Sequence, residues 1–394
     1  MTAPDTQPAP YLETLEMLTR LVAQPTVSAE SNLALIALAE AHLQACGYQT
    51  HRLPDPTGRK SGLLAARGST TGGVMLSAHS DVVPVTGQSW TRPPFALTRE
   101  GERLYGRGTT DMKGFLASML SAASRAAAKD VPLMLCISYD EETGCTGIRD
   151  MLPGIAALGW RPDLCIIGEP TSMIPATGHK GKAAFHARFT GQAGHSALAP
   201  HYVNALHIAA DFIQLLREIQ AQFLREGARD PGYDLPCSTL HAGILQGGTA
   251  LNIVPDKALL EFELRHLPGE SAESLLQALR PRVAELLRPY RALSPGADVE
   301  ILVTNSYPGL DSAASDPAVA RLMDLTGAKR TTKVAYGTEA GYFAGLGWTA
   351  LVCGPGDMAA QGHKADEYLE ISQLGACDQF MDQLIAELSA QDPG

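Results

Sequence analysis

The sequence predicts an α/β fold in which a mostly parallel sheet is interrupted by an inserted ferredoxin-like unit. Along residues 1–180 and again along 307–394, short apolar runs that suit buried strands alternate with stretches that suit helices. Within residues 181–306 the strands instead alternate apolar and polar positions, and the element order is β-α-β-β-α-β. We therefore expect a main domain of residues 1–180 and 307–394, and an inserted lid of residues 181–306.

In the main domain, apolar residues at helical spacing predict the helices, and Gly47 suits the end of the second one. Continuous apolar runs predict the strands, because strands buried on both faces need no polar positions. The expected helices cover residues 11–22, 31–46, 114–129 and 371–388, and the expected strands cover 63–67, 74–78, 133–138, 164–167 and 349–353.

In the lid, the patterns predict four half-buried strands and two long amphipathic helices. A length of 394 residues also supports two domains, because single cores rarely grow so large. The expected lid strands cover residues 182–189, 238–245, 257–266 and 298–305, and the helices cover 204–221 and 272–287.

Composition and charge exclude several classes of protein. Apolar residues make up 45% of the chain and charged residues 19%, which is typical of a globular protein. The formal net charge of −11 argues against nucleic acid or anionic lipid as the main partner. Seven cysteines without a C-x-x-C pair predict buried free thiols in a reducing compartment. Residues 1–10 lack signal-peptide features, and no apolar run approaches the ~20 residues that span a membrane, so we expect a cytoplasmic protein.

Five segments carry residues that suit a metal site, and four of them follow a predicted strand, where open parallel sheets bind ligands. His79 and Asp81 lie two residues apart at the end of a strand, so both side chains point to one side. A metal-binding histidine usually needs a carboxylate to fix its tautomer. Alone, however, this pair is more typical of a surface loop.

Carboxylates occupy the next three segments. Asp111 ends a Gly-rich turn before a helix, where it suits either a helix N-cap or a bridge between two cations. Three adjacent acids, Asp140, Glu141 and Glu142, follow a strand, and their negative charges repel one another. A solvated turn can hold such a run, but bound cations explain it better. Glu169 follows another strand, as a metal ligand or as an exposed residue of the turn.

The fifth segment contains His363, which alone is typical of a surface residue. Jointly, the segments supply two histidines and three carboxylates without a thiolate, which suits two borderline cations such as Zn²⁺ or Co²⁺. Two such ions can activate water and polarise an amide carbonyl, while a nearby carboxylate transfers protons. The sequence therefore predicts a two-metal amidohydrolase.

With these motifs in this order, the sequence resembles the aminoacylase and carboxypeptidase family of two-zinc metallohydrolases over essentially the whole chain. The resemblance implies two divalent cations, zinc in the first place and cobalt as an option. It implies that one ion is held by His79 and Glu169, that the other is held by Glu142 and His363, and that Asp111 bridges them.

The resemblance also implies roles beyond metal binding. Asp81 would orient His79, and Glu141 would be the general acid and base. In the lid, Asn252 and Arg265 match positions that hold a substrate carboxylate, which suits the paired donors of arginine. The alternative for Arg265 is a salt bridge within the lid sheet.

Several segments resemble the family members that remove the acetyl group from N2-acetylated L-ornithine. Residues 168–171 are also similar to members that act on succinyl-diaminopimelate, whereas residues 336–340 resemble the deacetylating members. In the segment 336–340, Glu339 would meet the ammonium group of the ornithine side chain. The alternative is that Glu339 starts a helix, a position where the helix dipole favours a negative charge. The loop 356–363 is about one residue longer than the family pattern. A related deacylase or dipeptidase, such as a desuccinylase or an N-acyl-amino-acid hydrolase, remains the alternative.

His195 follows a lid strand, and from the residues alone it is a polar loop histidine. In relatives that dimerise through the lid, the matching histidine reaches the partner's site and donates to the oxygen of the tetrahedral intermediate. The resemblance thus implies a homodimer whose sites are each built from both chains. The other expected partner is a small N-acyl amino acid, with no nucleic acid and no membrane.

Overall fold

The structure, a computed structural model, describes residues 9–28 and 30–391. Residues 1–8 lie outside the described residues, and the expected cytoplasmic location depends partly on this segment. Two compact units are present. As far as they are described, the first takes Met1–Gly178, Leu310–Val334 and Thr338–Gly394, and the second takes His179–Gly309 and Ala335–Gly337.

Strands and helices alternate through both units. Up to residue 179 the elements are α1 (Leu12–Val22), α2 (Leu33–Ala45), β1 (Gln49–Pro54), β2 (Ser61–Arg67), β3 (Val74–His79), β4 (Thr98–Glu100), β5 (Arg103–Tyr105), α3 (Gly114–Ala128), β6 (Leu133–Ser138), α4 (Thr146–Leu158), β7 (Leu164–Ile167) and β8 (Ala176–His179). The second unit contains β9 (Gly181–Thr190), β10 (Gly194–His195), α5 (Ala205–Glu226), β11 (Thr239–Gly247), β12 (Ile253–Val254), β13 (Lys257–His266), α6 (Ala272–Leu293) and β14 (Asp298–Tyr307). The chain ends with β15 (Leu310–Asp311), α7 (Pro317–Thr326), β16 (Thr332–Val334), α8 (Ala340–Gly345), β17 (Ala350–Val352), α9 (Met358–Gln361), β18 (Tyr368–Glu370) and α10 (Ile371–Gln391).

The main sheet of the first unit runs in the order β1-β2-β6-β3-β7-β17-β8-β15, and β16 pairs with β8. In its centre β3 is parallel to β6 and β7, and β17 is parallel to β7. Towards the edges, β1, β2 and β8 form antiparallel pairs, so the sheet is mixed and not uniformly parallel. Strands β3, β6 and β7 are buried along their whole length, which explains their continuous apolar runs.

Helices cover both faces of this sheet. In β6, Leu135 and Ile137 pack into the large apolar core that α1, α2, α3 and α10 contribute to. Met134 and Cys136 alternate with them and are equally buried, on the face that α4 contacts. A doubly covered parallel centre leaves the carboxyl ends of the strands as the open edge where polar residues can gather.

The second unit is a four-stranded antiparallel sheet in the order β11-β13-β9-β14, with α5 and α6 packed on one face. Its chain order is β-α-β-β-α-β, the ferredoxin-like arrangement. Buried and half-buried residues alternate along β9 and β13, because only one face meets the helices. Phe185 and Phe262 stack in the core with ring centroids 4.7 Å apart, and Phe212 of α5 packs edge-on against Phe262.

Several elements of the first unit are not predicted from the sequence pattern, among them α4 and β1. Helix α4 contains Pro153 and Gly154, which weaken a helical pattern although the helix continues through them. Strand β1 is a mostly exposed edge strand without an apolar run. All seven cysteines are free, and all but the half-buried Cys46 are buried. Within the described part of the chain, none of the helices combines the length and apolar character that a membrane crossing needs.

Candidate metal centre and active site

The polar residues predicted to act together lie at the carboxyl edge of the parallel strands. His79 is the last residue of β3, Glu141 and Glu142 lie shortly after β6, and Glu169 follows β7 by two residues. Because β6, β3 and β7 are neighbours and parallel, their carboxyl ends meet at one edge of the sheet. The strand order therefore brings carboxylates from distant segments next to one histidine.

Asp111 lies between two histidines. Its Oδ1 atom is 3.1 Å from Nε2 of His79, and its Oδ2 atom is 3.1 Å from Nε2 of His363. His79 also approaches Glu169, with Nε2 and Oε1 3.7 Å apart, and His363 approaches Glu142, with Nε2 and Oε2 3.0 Å apart. A single carboxylate thus faces two separate pairs of donors, which is the arrangement a bridging ligand requires.

Asp81 supports His79 from the other side. Its Oδ1 atom is 3.5 Å from Nδ1 of His79, and its carboxylate accepts hydrogen bonds from Oγ of Ser28 and from the backbone nitrogens of Glu141 and Glu142. Burial opposes ionisation of Asp81, yet the contacts with His79 and these donors outweigh it and lower its pKa. Nδ1 of His79 also lies 2.9 Å from the backbone carbonyl oxygen of Asp81. Asp81 is thus in a position to orient the ring of His79, and it contacts the turn that carries the two glutamates.

The cluster is strongly acidic and largely buried. Burial is the largest cause that raises the pKa of Glu141 and of Glu169 well above the usual value, and it raises the pKa of Glu142 to about 7. Burial lowers the pKa of His363, but Asp111 and Glu142 outweigh it and raise that pKa to about 10. A raised pKa means that a group keeps its proton to higher pH, and such protons compensate for the crowded negative charge of the cluster. Bound cations fill the same role in a metal site.

The donors fit divalent cations. Ligand atoms of His79, Glu141 and Glu169 lie within 4.8 Å of one another, and so do those of His79, Asp111 and Glu142. Glu169 is 4% exposed, and its buried Oε1 atom has no hydrogen-bond partner among the described residues. A buried carboxylate oxygen without a donor is costly unless a cation meets it.

Glu141 is close enough to the cluster to be either a ligand or a proton carrier. Its Oε1 atom accepts a hydrogen bond from Sγ of Cys145 at 3.3 Å. His363 is the most open member of the group, with 43% of its side chain exposed, whereas the side chain of His79 is 1% exposed. Water and substrate therefore have access from the side of His363.

Glu339 lies in the same unit, immediately before α8, and is 1% exposed. It makes no hydrogen bond that caps this helix and instead accepts one from Oγ of Ser138 at 2.8 Å. Its second oxygen is buried without a hydrogen-bond partner among the described residues, and burial raises its pKa to about 7. Glu339 thus stands at the start of α8, as the alternative of a helix-starting glutamate expects, although its hydrogen bond is made with Ser138 and not with the helix backbone.

The three remaining predicted residues belong to the second unit. His195 is exposed at the end of β10, and its Nδ1 atom accepts a hydrogen bond from the backbone nitrogen of Ala197. Asn252 is exposed just before β12. Arg265 donates to Tyr307 and lies 3.1 Å from Glu263, so the salt bridge weighed as an alternative is present.

Sequence reasoning missed Ser28, which donates to Asp81 at 2.7 Å. A lone serine in the loop between two helices carries no pattern that reveals such a contact. Only the pairing of distant segments places it there, since 53 positions separate the two residues.

Comparison with known proteins identifies the class to which this fold and site belong. The sequence model of peptidase family M20/M25/M40 matches residues 75–387, and the chain belongs to this family. The family resemblance inferred from the motifs is thereby confirmed, and so is the interpretation of the chain as a hydrolase. An acetylornithine deacetylase of Myxococcus xanthus is 35% identical over 94% of this chain and 96% of its own length. One of Proteus mirabilis is 36% identical over 94% and 95% of the two chains.

Solved structures confirm the α/β fold. A metallo-carboxypeptidase of the M20 family from Sulfolobus solfataricus superposes with a TM-score of 0.74 at 20% identity, covering 96% of this chain and all of the other. A Bacillus subtilis member, described as a dinuclear metal binding peptidase, superposes with a TM-score of 0.63 at 15% identity over 96% and 98% of the chains. At these identities the likeness concerns the fold.

Proposed function

We propose that the protein removes the acetyl group from N2-acetyl-L-ornithine, giving L-ornithine and acetate, with two divalent cations at the described cluster. The observation that carries the proposal is the position of Asp111 between His79 and His363, with a further carboxylate beside each histidine. The substrate is supported by the acetylornithine deacetylases that are 35% and 36% identical over 94% of the chain. The product ornithine would serve arginine biosynthesis in the cytoplasm.

The five predicted ligands divide into two sets. His79 and Glu169 would hold one cation, Glu142 and His363 would hold the other, and Asp111 would be shared. Nitrogen and oxygen donors of this kind suit Zn²⁺, and Co²⁺ accepts the same ligands. When bound, the cations supply Lewis acidity that favours deprotonation of water and polarises the amide carbonyl.

Glu141 carries out the proton transfers in this proposal. It takes the proton from the attacking water and delivers it to the nitrogen of the leaving amine, so that the C–N bond breaks without forming an amide anion. Burial raises the pKa of Glu141 above the usual range of a carboxyl, which strengthens it as the base that takes a proton from water. Asp81 contributes through the orientation of His79.

Substrate recognition is assigned to three further residues. Asn252 and Arg265 would hold the α-carboxylate, and the half-buried guanidinium of Arg265 has the paired donors for it. Glu339 would meet the side-chain ammonium, because its buried and unbonded oxygen suits one cationic partner. His195 of a partner chain in a homodimer would donate to the developing oxyanion.

Hydrolysis of matched substrates tests the proposal. Metal-reconstituted enzyme should show its highest kcat/KM with N2-acetyl-L-ornithine. N2-acetyl-L-norvaline is the control, since it lacks only the side-chain amine, and succinyl-diaminopimelate and dipeptides represent the alternative members of the family. A higher kcat/KM for the succinyl compound or a dipeptide would replace the proposed substrate while leaving the two-metal centre intact.

A further inference from the structure

Beside the metal cluster, the first unit contains a buried ion pair whose function the proposed chemistry does not explain. Arg107 and Glu367 are each 1% exposed, and Nη1 of Arg107 lies 2.6 Å from Oε2 of Glu367. Burying two charges costs several kcal/mol per ion unless further hydrogen bonds satisfy them. The remaining hydrogen bonds of this pair therefore indicate what it holds in place.

One end of the pair holds the turn that carries Asp111. The Oε1 atom of Glu367 accepts hydrogen bonds from the backbone nitrogens of Thr110 at 2.9 Å and Asp111 at 3.2 Å. The carboxylate thus fixes the backbone of the residue that faces both histidines. Its other oxygen remains committed to Arg107, so the turn and the guanidinium are joined through one side chain.

The other end of the pair holds the loop that carries His363. Nη2 of Arg107 donates to Oε1 of Gln88, and Nε2 of Gln88 donates to the backbone carbonyl of His363 at 2.9 Å. Trp90 adds support, because its Nε1 atom also donates to Gln88 and its ring lies 5.0 Å from the guanidinium carbon. Gln88 is therefore the link between the ion pair and the histidine.

His363 needs such a link. Its backbone φ is 58°, in the left-handed region that residues other than glycine adopt at a cost. Its side chain is the most exposed of the predicted ligands, so packing around the ring contributes little to its position. Without a tether, this loop would be the least constrained part of the cluster.

We propose that Gln88, Arg107 and Glu367 form a positioning set that fixes the distance between Asp111 and His363, and thereby determines the affinity of the cation held by Glu142 and His363. This inference rests on the proposed two-metal centre. Arginine suits the role because its planar fork reaches Glu367 and Gln88 at once, which a lysine ammonium does not reproduce. The cation held by His79 and Glu169 should depend less on the set, since His79 is supported by Asp81.

Two substitutions test the positioning set without leaving a buried charge unpaired. Gln88→Glu keeps an acceptor for Arg107 and Trp90 but loses the donor to His363. Arg107→Lys keeps the charge and loses the fork. The control is Arg321→Lys, at an ion pair with Glu387 of 2.7 Å in the same unit, away from the cluster. Circular dichroism and thermal unfolding of the metal-free proteins establish that each variant is folded.

Zn²⁺ binding, measured by competition with a chromophoric chelator and by elemental analysis, is the readout. For Gln88→Glu, which loosens only the loop of His363, we expect the ion held by His79 and Glu169 to keep its affinity and the other ion to bind ~10–100-fold more weakly. Arg107→Lys also loosens the contact of Glu367 with Asp111, which both ions share, so it should weaken the ion held by Glu142 and His363 more than the other. Arg321→Lys should bind like the unsubstituted protein. Two ions of unchanged affinity in both variants, or equal weakening of both ions, would overturn the inference. Two-ion binding without hydrolysis of acetylornithine would reject the proposed substrate and leave the positioning set standing.

Discussion

At the scale of single residues, Glu141 is the most informative position. If Glu141 is a metal ligand, one substitution has a different effect from the one expected if Glu141 carries protons. Glu141→Gln keeps the size of the side chain but removes its ability to accept a proton. As general acid and base, Glu141 should contribute ~10²–10⁴-fold to kcat, while two ions remain bound. Steady-state rates and elemental analysis of one preparation decide this. Near-normal turnover would reject the role, and loss of one ion would make Glu141 a ligand.

Glu339 is the second residue for which one substitution distinguishes a role in substrate binding from a structural role. If its carboxylate meets the substrate ammonium, Glu339→Gln should raise KM for N2-acetyl-L-ornithine and leave KM for N2-acetyl-L-norvaline nearly unchanged. Ser138→Ala is the matched control, because it removes the hydrogen bond to Glu339 and keeps the charge. Equal losses on both substrates, reproduced by Ser138→Ala, would show that Glu339 is structural.

At the scale of elements, the sequence predicts what local patterns determine. The strands β6 and β7 follow from continuous apolar runs, and the polar residues after them follow from the rule that ligands bind at carboxyl strand ends. Helix α4 could not be predicted, since Pro153 interrupts the pattern and tertiary packing overrides propensity. The roles of Ser28 and Gln88 also escape a sequence argument, because their partners lie in segments far along the chain.

The titratable side chains of the metal cluster also predict how the stability of the folded protein depends on pH. In the metal-free protein the pKa of Glu142 is raised to about 7 and that of His363 to about 10, so the folded state binds more protons than the unfolded state. Loss of these protons should therefore lower stability as pH rises from 5 through 7 to 10. Buried Lys113, whose pKa burial lowers to about 7, acts in the opposite sense above pH 7, but it is one group against several carboxyls whose pKa is raised. Bound Zn²⁺ replaces those protons and should flatten this dependence. Thermal unfolding at pH 6 and pH 9, with and without Zn²⁺, measures the effect; a metal-free protein more stable at pH 9 would contradict it.

At the scale of the whole molecule, the proposed homodimer makes a specific prediction about His195. His195→Ala and Glu141→Gln chains should each be nearly inactive alone. If the histidine acts on the partner's site, random mixing gives about half heterodimers with one complete site each, and about a quarter of the activity should return. If it acts within its own chain, a heterodimer has no complete site. Unrestored activity, with heterodimers verified by mass, would rule out the shared site.

The central claim is that hydrolysis depends on two cations held where Asp111 meets His79 and His363. The most direct measurement strips the protein with a chelator, adds Zn²⁺ in steps and follows acetate release from N2-acetyl-L-ornithine together with bound metal per chain. We predict no turnover without metal and a rate that reaches its maximum at or before two ions per chain. Full activity in the verified metal-free protein would contradict the claim.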